Sequence, residues 1–159
     1  MFSVLDETLP ISLLKKHDPL VALADHFSIR PQGWDEVPYS IASGGNLHNT
    51  AQKLATRLAG KNDLRFFKAD VVWVSAESAD KVADFRKRTG LDERAILRRC
   101  VIGDGATVED WTALFGLALA FGWDAVAVSR RKNALLWFSH DEYLRVTPPS
   151  IVRRLWHPP

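Results

Sequence analysis

The residues best suited to chemistry are Ser139, His140, Asp141 and Glu142, which follow the apolar run Leu135-Leu136-Trp137-Phe138. A histidine beside two carboxylates at a strand end can act as a general base or hold a metal, because strand ends present side chains from a rigid scaffold. Asp124, ahead of a second apolar run, is a further carboxylate that such a site would recruit. The same four residues also fit a helix start. Ser139 with Glu142 three positions on has capping-box spacing, and His140 to Leu144 would then be one helical turn. That spacing favours a backbone role for the cluster and a solvated His140.

Other motifs resolve the same way. Gly103-Asp104-Gly105 precedes the Thr107 segment as a phosphate loop would, yet it lacks the Gly-Lys-Ser/Thr ending, and Asp104 would repel phosphate, so a plain turn is expected. Ser43-Gly44-Gly45-Asn46 looks like an oxyanion loop without a nucleophile elbow. Ser12-Leu13-Leu14-Lys15 matches Ser-x-x-Lys without its companion motifs. Cys100 beside Arg98 and Arg99 has a reactive thiol's neighbours, but it falls four residues after Ile96 and precedes Val101-Ile102, as a small buried apolar residue would. His17, His26, His48, His140 and His157 show no metal-binding spacing. No cofactor and no metal are expected.

Tryptophan is more telling. Trp73, Trp111, Trp123 and Trp137 lie in apolar segments and are expected in the core. Trp34 and Trp156 lie among Pro, Gly, Arg and His residues. Trp with Arg is the pairing that most often dominates interface energy, so Trp34, Arg30, Arg153, Arg154 and Trp156 are the expected partner-binding residues.

These residues need elements to hold them. Pro10, Pro19, Pro31 and Pro38 make residues 1–45 the least regular section, with short helices near 10–16 and 19–27. Asn46 caps a helix whose stripe is Leu47, Ala51, Leu54, Ala55 and Leu58. Residues 64–75 read as a central strand through Val71-Val72-Trp73-Val74. A helix from Ser75 or Ser78 runs to Gly90, and a shorter one from Asp92 to Cys100. Thr107 and Asp110 open a largely buried helix ending at Gly122. Residues 124–129 and 134–138 form an antiparallel hairpin around the polar turn 130–133. Val72, Val74, Leu114, Phe115, Leu119, Val126, Val128 and Leu136 are the expected core.

The 159 residues suit one domain, and 47% hydrophobic with 25% charged residues is the globular average. The expected organisation is therefore a single domain, 1–159: the irregular section 1–45, an α+β core over 46–147, and a C-terminal tail over 148–159. The fold is expected to be α+β, an antiparallel or mixed sheet with helices packed mainly on one face. A lone cysteine, no basic-then-apolar leader and no apolar run near the ~20 residues of a membrane span predict a cytoplasmic protein with no membrane contact. Basic and acidic residues balance, 12 against 11 through Gly90 and 9 against 8 after it, which argues against a dedicated phosphate binder.

The expected function is a non-enzymatic protein-binding module. As a class, and through no motif, the chain resembles the inhibitors and immunity proteins that bacteria make against toxins. Two alternatives are carried forward. One is a small hydrolase-like enzyme using His140 with Asp141, Glu142 or Asp124. The other is a nucleic-acid-binding accessory using Lys53, Arg57, Lys61, Arg65 and Lys68, or Arg130 to Lys132 with Arg153 and Arg154.

Overall fold

The computed structural model describes residues 1–39, 44–60, 63–69, 79–92 and 95–152. Along the chain come β1 (Phe2–Thr8), α1 (Ile11–Leu14), α2 (Pro19–His26), β2 (Asp35–Pro38), α3 (Gly44–Leu58), β3 (Leu64–Lys68), α4 (Ala79–Thr89), β4 (Arg99–Gly103), α5 (Val108–Ala120), β5 (Ala125–Ser129), β6 (Ala134–Ser139) and β7 (Tyr143–Thr147). The seven strands make one sheet in the order β1-β4-β3-β5-β6-β7-β2, every pair antiparallel. The α+β expectation holds. No helix among the described residues is long and apolar enough to cross a membrane.

The period of two in a strand decides which core each residue joins. Phe66, Val101, Ala127, Leu136 and Val146 face the layer of α3, α4 and α5, where they meet Leu54, Phe85 and Phe115. Their sequence neighbours Phe67, Cys100, Val126 and Leu135 face the other way, against Leu20, Leu23 and Phe27 of the α2 segment. The longer helices thus share one face, while α1 and α2 cover part of the second. Apolar burial contributes ~1.5–3 kcal/mol per large side chain, so strands filled on both faces anchor the sheet. Leu114, Phe115, Leu119, Val126, Val128 and Leu136 are each at most 1% exposed. The expected core residues Val72 and Val74, with the strand read through 71–74, lie outside the described residues.

Helix α5 shows how local sequence fixes its surroundings. Thr107 and Asp110 form a reciprocal capping box, Asp110 N donating to Thr107 Oγ1 at 3.2 Å and Thr107 N to the Asp110 carboxylate at 2.8 Å. At the other end Gly122 adopts φ 56°, Trp123 N donates to Ala118 O at 2.9 Å, and Gly122 N to Leu119 O at 3.3 Å. This is a Schellman stop. It buries Trp123 completely and delivers Asp124 to the first residue before β5.

Four expectations change. Arg99 and Cys100, read as the end of a helix from Asp92, open strand β4, held between β1 and β3; Cys100 is buried as expected, but by strand alternation, not helical phase. The supposed capping box at Ser139 is a β6–β7 hairpin turn, with Glu142 at φ 61° and its N donating to Ser139 O at 3.1 Å. An extended partner strand pulls 143–147 away from the helical option. The irregular first section contains β1 and β2, the two edges of the sheet, and Asn46 lies inside α3.

Candidate functional site

The sheet has two ends, and the candidate residues divide between them. One end carries Lys68, Ala125, Ser139, Tyr143 and Pro38; the other carries Leu64, Gly103, Ser129, Ala134 and Thr147.

At the first end the β6–β7 turn brings His140 to Asp124. The Asp124 carboxylate accepts from His140 N at 3.0 Å and lies 2.8 Å from its Nδ1, while Asp141 faces Nε2 at 3.4 Å. Three of the four candidates for an enzyme, His140, Asp141 and Asp124, therefore do meet. Glu142 turns into the hairpin, and its carbonyl accepts from Tyr39 N at 2.9 Å. Tyr39, a hundred residues from its partner Ser139, donates its hydroxyl to that residue's carbonyl at 2.7 Å. Burial first, then the Glu142 and Asp124 charges, hold the Tyr39 phenol above its ordinary pKa, so it stays a donor. Neighbouring Ser139 is 3% exposed, and its hydroxyl accepts from Asp141 N at 3.2 Å, which commits it to the turn. His140 is solvated, with its side chain 63% exposed. This arrangement can orient an imidazole and brace a hairpin.

At the opposite end the four-residue turn Arg130 to Asn133 gathers cations. Asn133, at φ 47°, brackets the backbone of Arg30: Arg30 N donates to its Oδ1 at 2.8 Å and its Nδ2 donates to Arg30 O at 2.6 Å. Arg130 donates to Phe27 O at 3.1 Å. Lys132 donates to the carbonyl of Arg57, and the Arg57 guanidinium donates to the carbonyls of Ser150, at 3.0 Å, and Ile151. Every one of these acceptors is neutral. Among the described residues Arg30, Arg57, Arg130, Arg131 and Lys132 form no ion pair, whereas Arg65, Arg88, Arg99 and Arg145 pair with Glu7, Asp84, Asp6 and Glu36. The acid Asp63 is taken up by Ser129 Oγ at 2.6 Å and Arg131 N at 2.8 Å.

Trp34 flanks this end, half-buried against the α2-side core, next to Gly33, whose carbonyl accepts from Thr147 Oγ1 at 2.7 Å. Of the expected partner-binding residues, Arg30 and Trp34 thus share one end of the sheet; Arg153, Arg154 and Trp156 lie outside the described residues. The first nucleic-acid set disperses. Arg65 is paired with Glu7, and Lys68 is 2% exposed with its ammonium 4.3 Å from the centre of the Trp123 ring. Lys61 and Trp73 are outside the described residues. Trp111 and Trp123 are buried as expected, and Trp137 is half-buried.

Two of the cavities among the described residues are well defined, and neither is lined by His140, Asp141, Glu142 or Asp124. One, of about 290 Å³, is walled by Ala59, Leu64, Ala106, Val108 and Trp111. The other, of about 640 Å³, is a groove over Ala113, Gly116 and Ala120 of α5 with a rim of mixed charge, Asp84, Arg88 and Glu109. Sequence spacing misses the first cavity because its wall joins two distant segments, 59–64 and 103–111. Only Gly103 hints at it, since a Cβ there would fall 2.5 Å from Ala106 Cβ and 3.0 Å from the Trp111 ring.

The remaining candidates do not form sites. Burial, then the Glu7 charge, pushes the Cys100 thiol up to about 12, the reverse of an activated nucleophile. Gly105, at φ 65°, shapes the turn before Thr107. No three or more His, Cys, Asp or Glu residues among those described are grouped to hold a metal. Comparison with protein-family models, curated proteins and solved structures finds no match.

Proposed function

We propose that the chain is a non-enzymatic protein-binding module, an immunity-type inhibitor in its general character, which grips an acidic surface of its partner with the β5–β6 end of the sheet. One observation carries the reading: among the described residues five cations lie at that end without ion pairs, while the sheet arginines Arg65, Arg99 and Arg145 are matched to carboxylates. Unmatched charge costs the free protein little in water, and it steers an oppositely charged partner at long range. Trp34 beside it supplies the aromatic anchor such surfaces use.

The test is a titration of the protein that copurifies from the native host against wild type, Trp34→Ala, Arg131→Glu and His140→Ala. The two changes at the cationic end should each weaken the complex by about tenfold or more with melting nearly unchanged, and His140→Ala should leave it alone. Turnover of a small molecule that disappears in His140→Ala would replace this reading with the enzyme, whose support is the Asp124 contact to Nδ1. The structural counterweight to that second reading is a ring flanked by a carboxylate at each nitrogen and standing in solvent, outside both cavities.

A further inference from the structure

At its two edges the sheet is finished differently. β2, at one edge, is four residues long and ends at Pro38, which has no N–H to offer. Shortness and proline both blunt an edge. β1, at the other, runs seven residues without Pro or Lys, and a shift in register between Leu5 and Thr8 leaves residues 2–5 as its regular part. Among the described residues no strand lies on its outer side.

The ladder decides which backbone groups face outward. Met1 N donates to Asp104 O at 3.1 Å, directly opposite in the register that pairs Phe2 with Gly103 and Val4 with Val101. Bonding alternates along an antiparallel pair, so Met1, Ser3 and Leu5 bond toward β4, and the N–H and C=O groups of Phe2 and Val4 point away from it. Side chains alternate as well. Phe2 and Val4 join the helix-side core, Leu5 packs on the opposite core, and Met1 and Ser3 share the face of Leu5. Met1 is 83% exposed, the most exposed large apolar side chain among the described residues.

We infer that this edge pairs with the same edge of a second copy, β1 against β1 in antiparallel register, about a two-fold axis at Ser3. In that register the outward groups of the regular stretch all find partners: Phe2 exchanges both backbone bonds with the partner's Val4, and Val4 with the partner's Phe2. The two Ser3 side chains meet on the axis as a non-bonded pair, small enough for close approach. Met1 lies beside the partner's Leu5, which takes its apolar surface out of water. Charge selects the direction. Asp6 and Glu7, held by Arg99 and Arg65, fall beyond the paired stretch, whereas a parallel pairing would set each acid against its own copy. Few bonds and one short apolar rim make a small interface, so the association is weak and depends on concentration.

Sedimentation equilibrium of the full chain, from about 10 μM to about 1 mM, tests this. Wild type should pass from monomer to dimer over that range. Ser3 is exposed, so Ser3→Glu and Ser3→Lys should leave melting unchanged, yet each should weaken dimerisation by about fivefold or more because like charges then meet on the axis. An equimolar mixture of the two variants should regain it. Ser3→Cys in a Cys100→Ala background reads the register: Cα atoms paired at about 4.5 Å suit a disulfide, so diamide should cross-link it far faster than Thr8→Cys in the same background. Wild type that stays monomeric throughout, or dimers indifferent to charge at Ser3, would overturn the inference. So would a monomeric chain whose copurifying partner loses affinity in Ser3→Glu, since the edge would then take a strand from that partner. The binding module stands or falls separately, because Trp34→Ala should leave dimerisation unchanged.

Discussion

The two ends of the sheet handle charge in opposite ways. At the β6–β7 end His140 lies between Asp124 and Asp141, and Asp124 also accepts the His140 backbone N–H, so the polar groups on view answer one another. At the β5–β6 end the side chains of Arg57, Arg130 and Lys132 reach only carbonyl oxygens, and the guanidinium of Arg131 stays exposed. Charge matched within the fold stabilises a turn; charge left unmatched is available to another molecule. The residues with the more chemical look are thus matched within the fold, and under the proposed reading the working residues are those that look like an ordinary polar turn.

The comparison can be broken at its root through Phe115, which touches the aromatic rings leading to both ends. Its ring centre lies 5.7 Å from Trp111, which walls the cavity, and 5.5 Å from Phe138, which leads β6 into the His140 turn. Phe115→Ala should cost about 3–5 kcal/mol in urea melts, and hydrogen exchange should speed up at both hairpins together. Exchange rising at one end alone would mean that the ends fold as separate units.

A smaller effect separates the ends. Asp124→Ala removes the carboxylate that faces the His140 N–H and Nδ1, which should cost about 1–3 kcal/mol of stability, while partner affinity measured below the melting transition stays within a factor of about two. Equal loss of stability and of partner affinity would make the β6–β7 end part of the working surface.

How far the sequence reveals this division depends on the range of each contact. The α5 box, the α3 stripe and the β5–β6 hairpin are written in residues three to thirteen apart, and all are present. The His140 turn was misread because Ser139 and Glu142 carry a helix-start spacing that the pairing with Tyr143 overrides, a long-range term invisible to local pattern. Cys100 was assigned to the correct interior for the wrong reason, since one apolar residue fits a helix stripe and a strand alternation alike. Asp124 was suspected from type alone. Its partner is 16 residues away, and the Tyr39 brace across the same turn spans 100. The cavity has no sequence signature beyond Gly103.

The smallest expected effect tests Cys100, whose neighbours at first suggest chemistry. Its thiol is fully buried in β4, and its pKa rises from the ordinary 9.0 to about 12, first through burial and then through Glu7. The folded state therefore keeps a proton that the unfolded chain gives up. Stability linked to this group is complete below about pH 9 and declines as pH climbs toward about 12, because there the unfolded chain binds fewer protons than the folded one. Wild type should thus lose urea resistance between about pH 8 and about pH 10.5, and Cys100→Ala should lose less over the same interval even if it starts lower. Part of the slope should remain, since the raised Tyr39 phenol acts with the same sign above its ordinary 10.0. Iodoacetamide should label Cys100 in native wild type only as fast as the protein unfolds. Rapid labelling near neutral pH without unfolding would show that the thiol is open and ionised, and would return Cys100 to the list of chemical candidates.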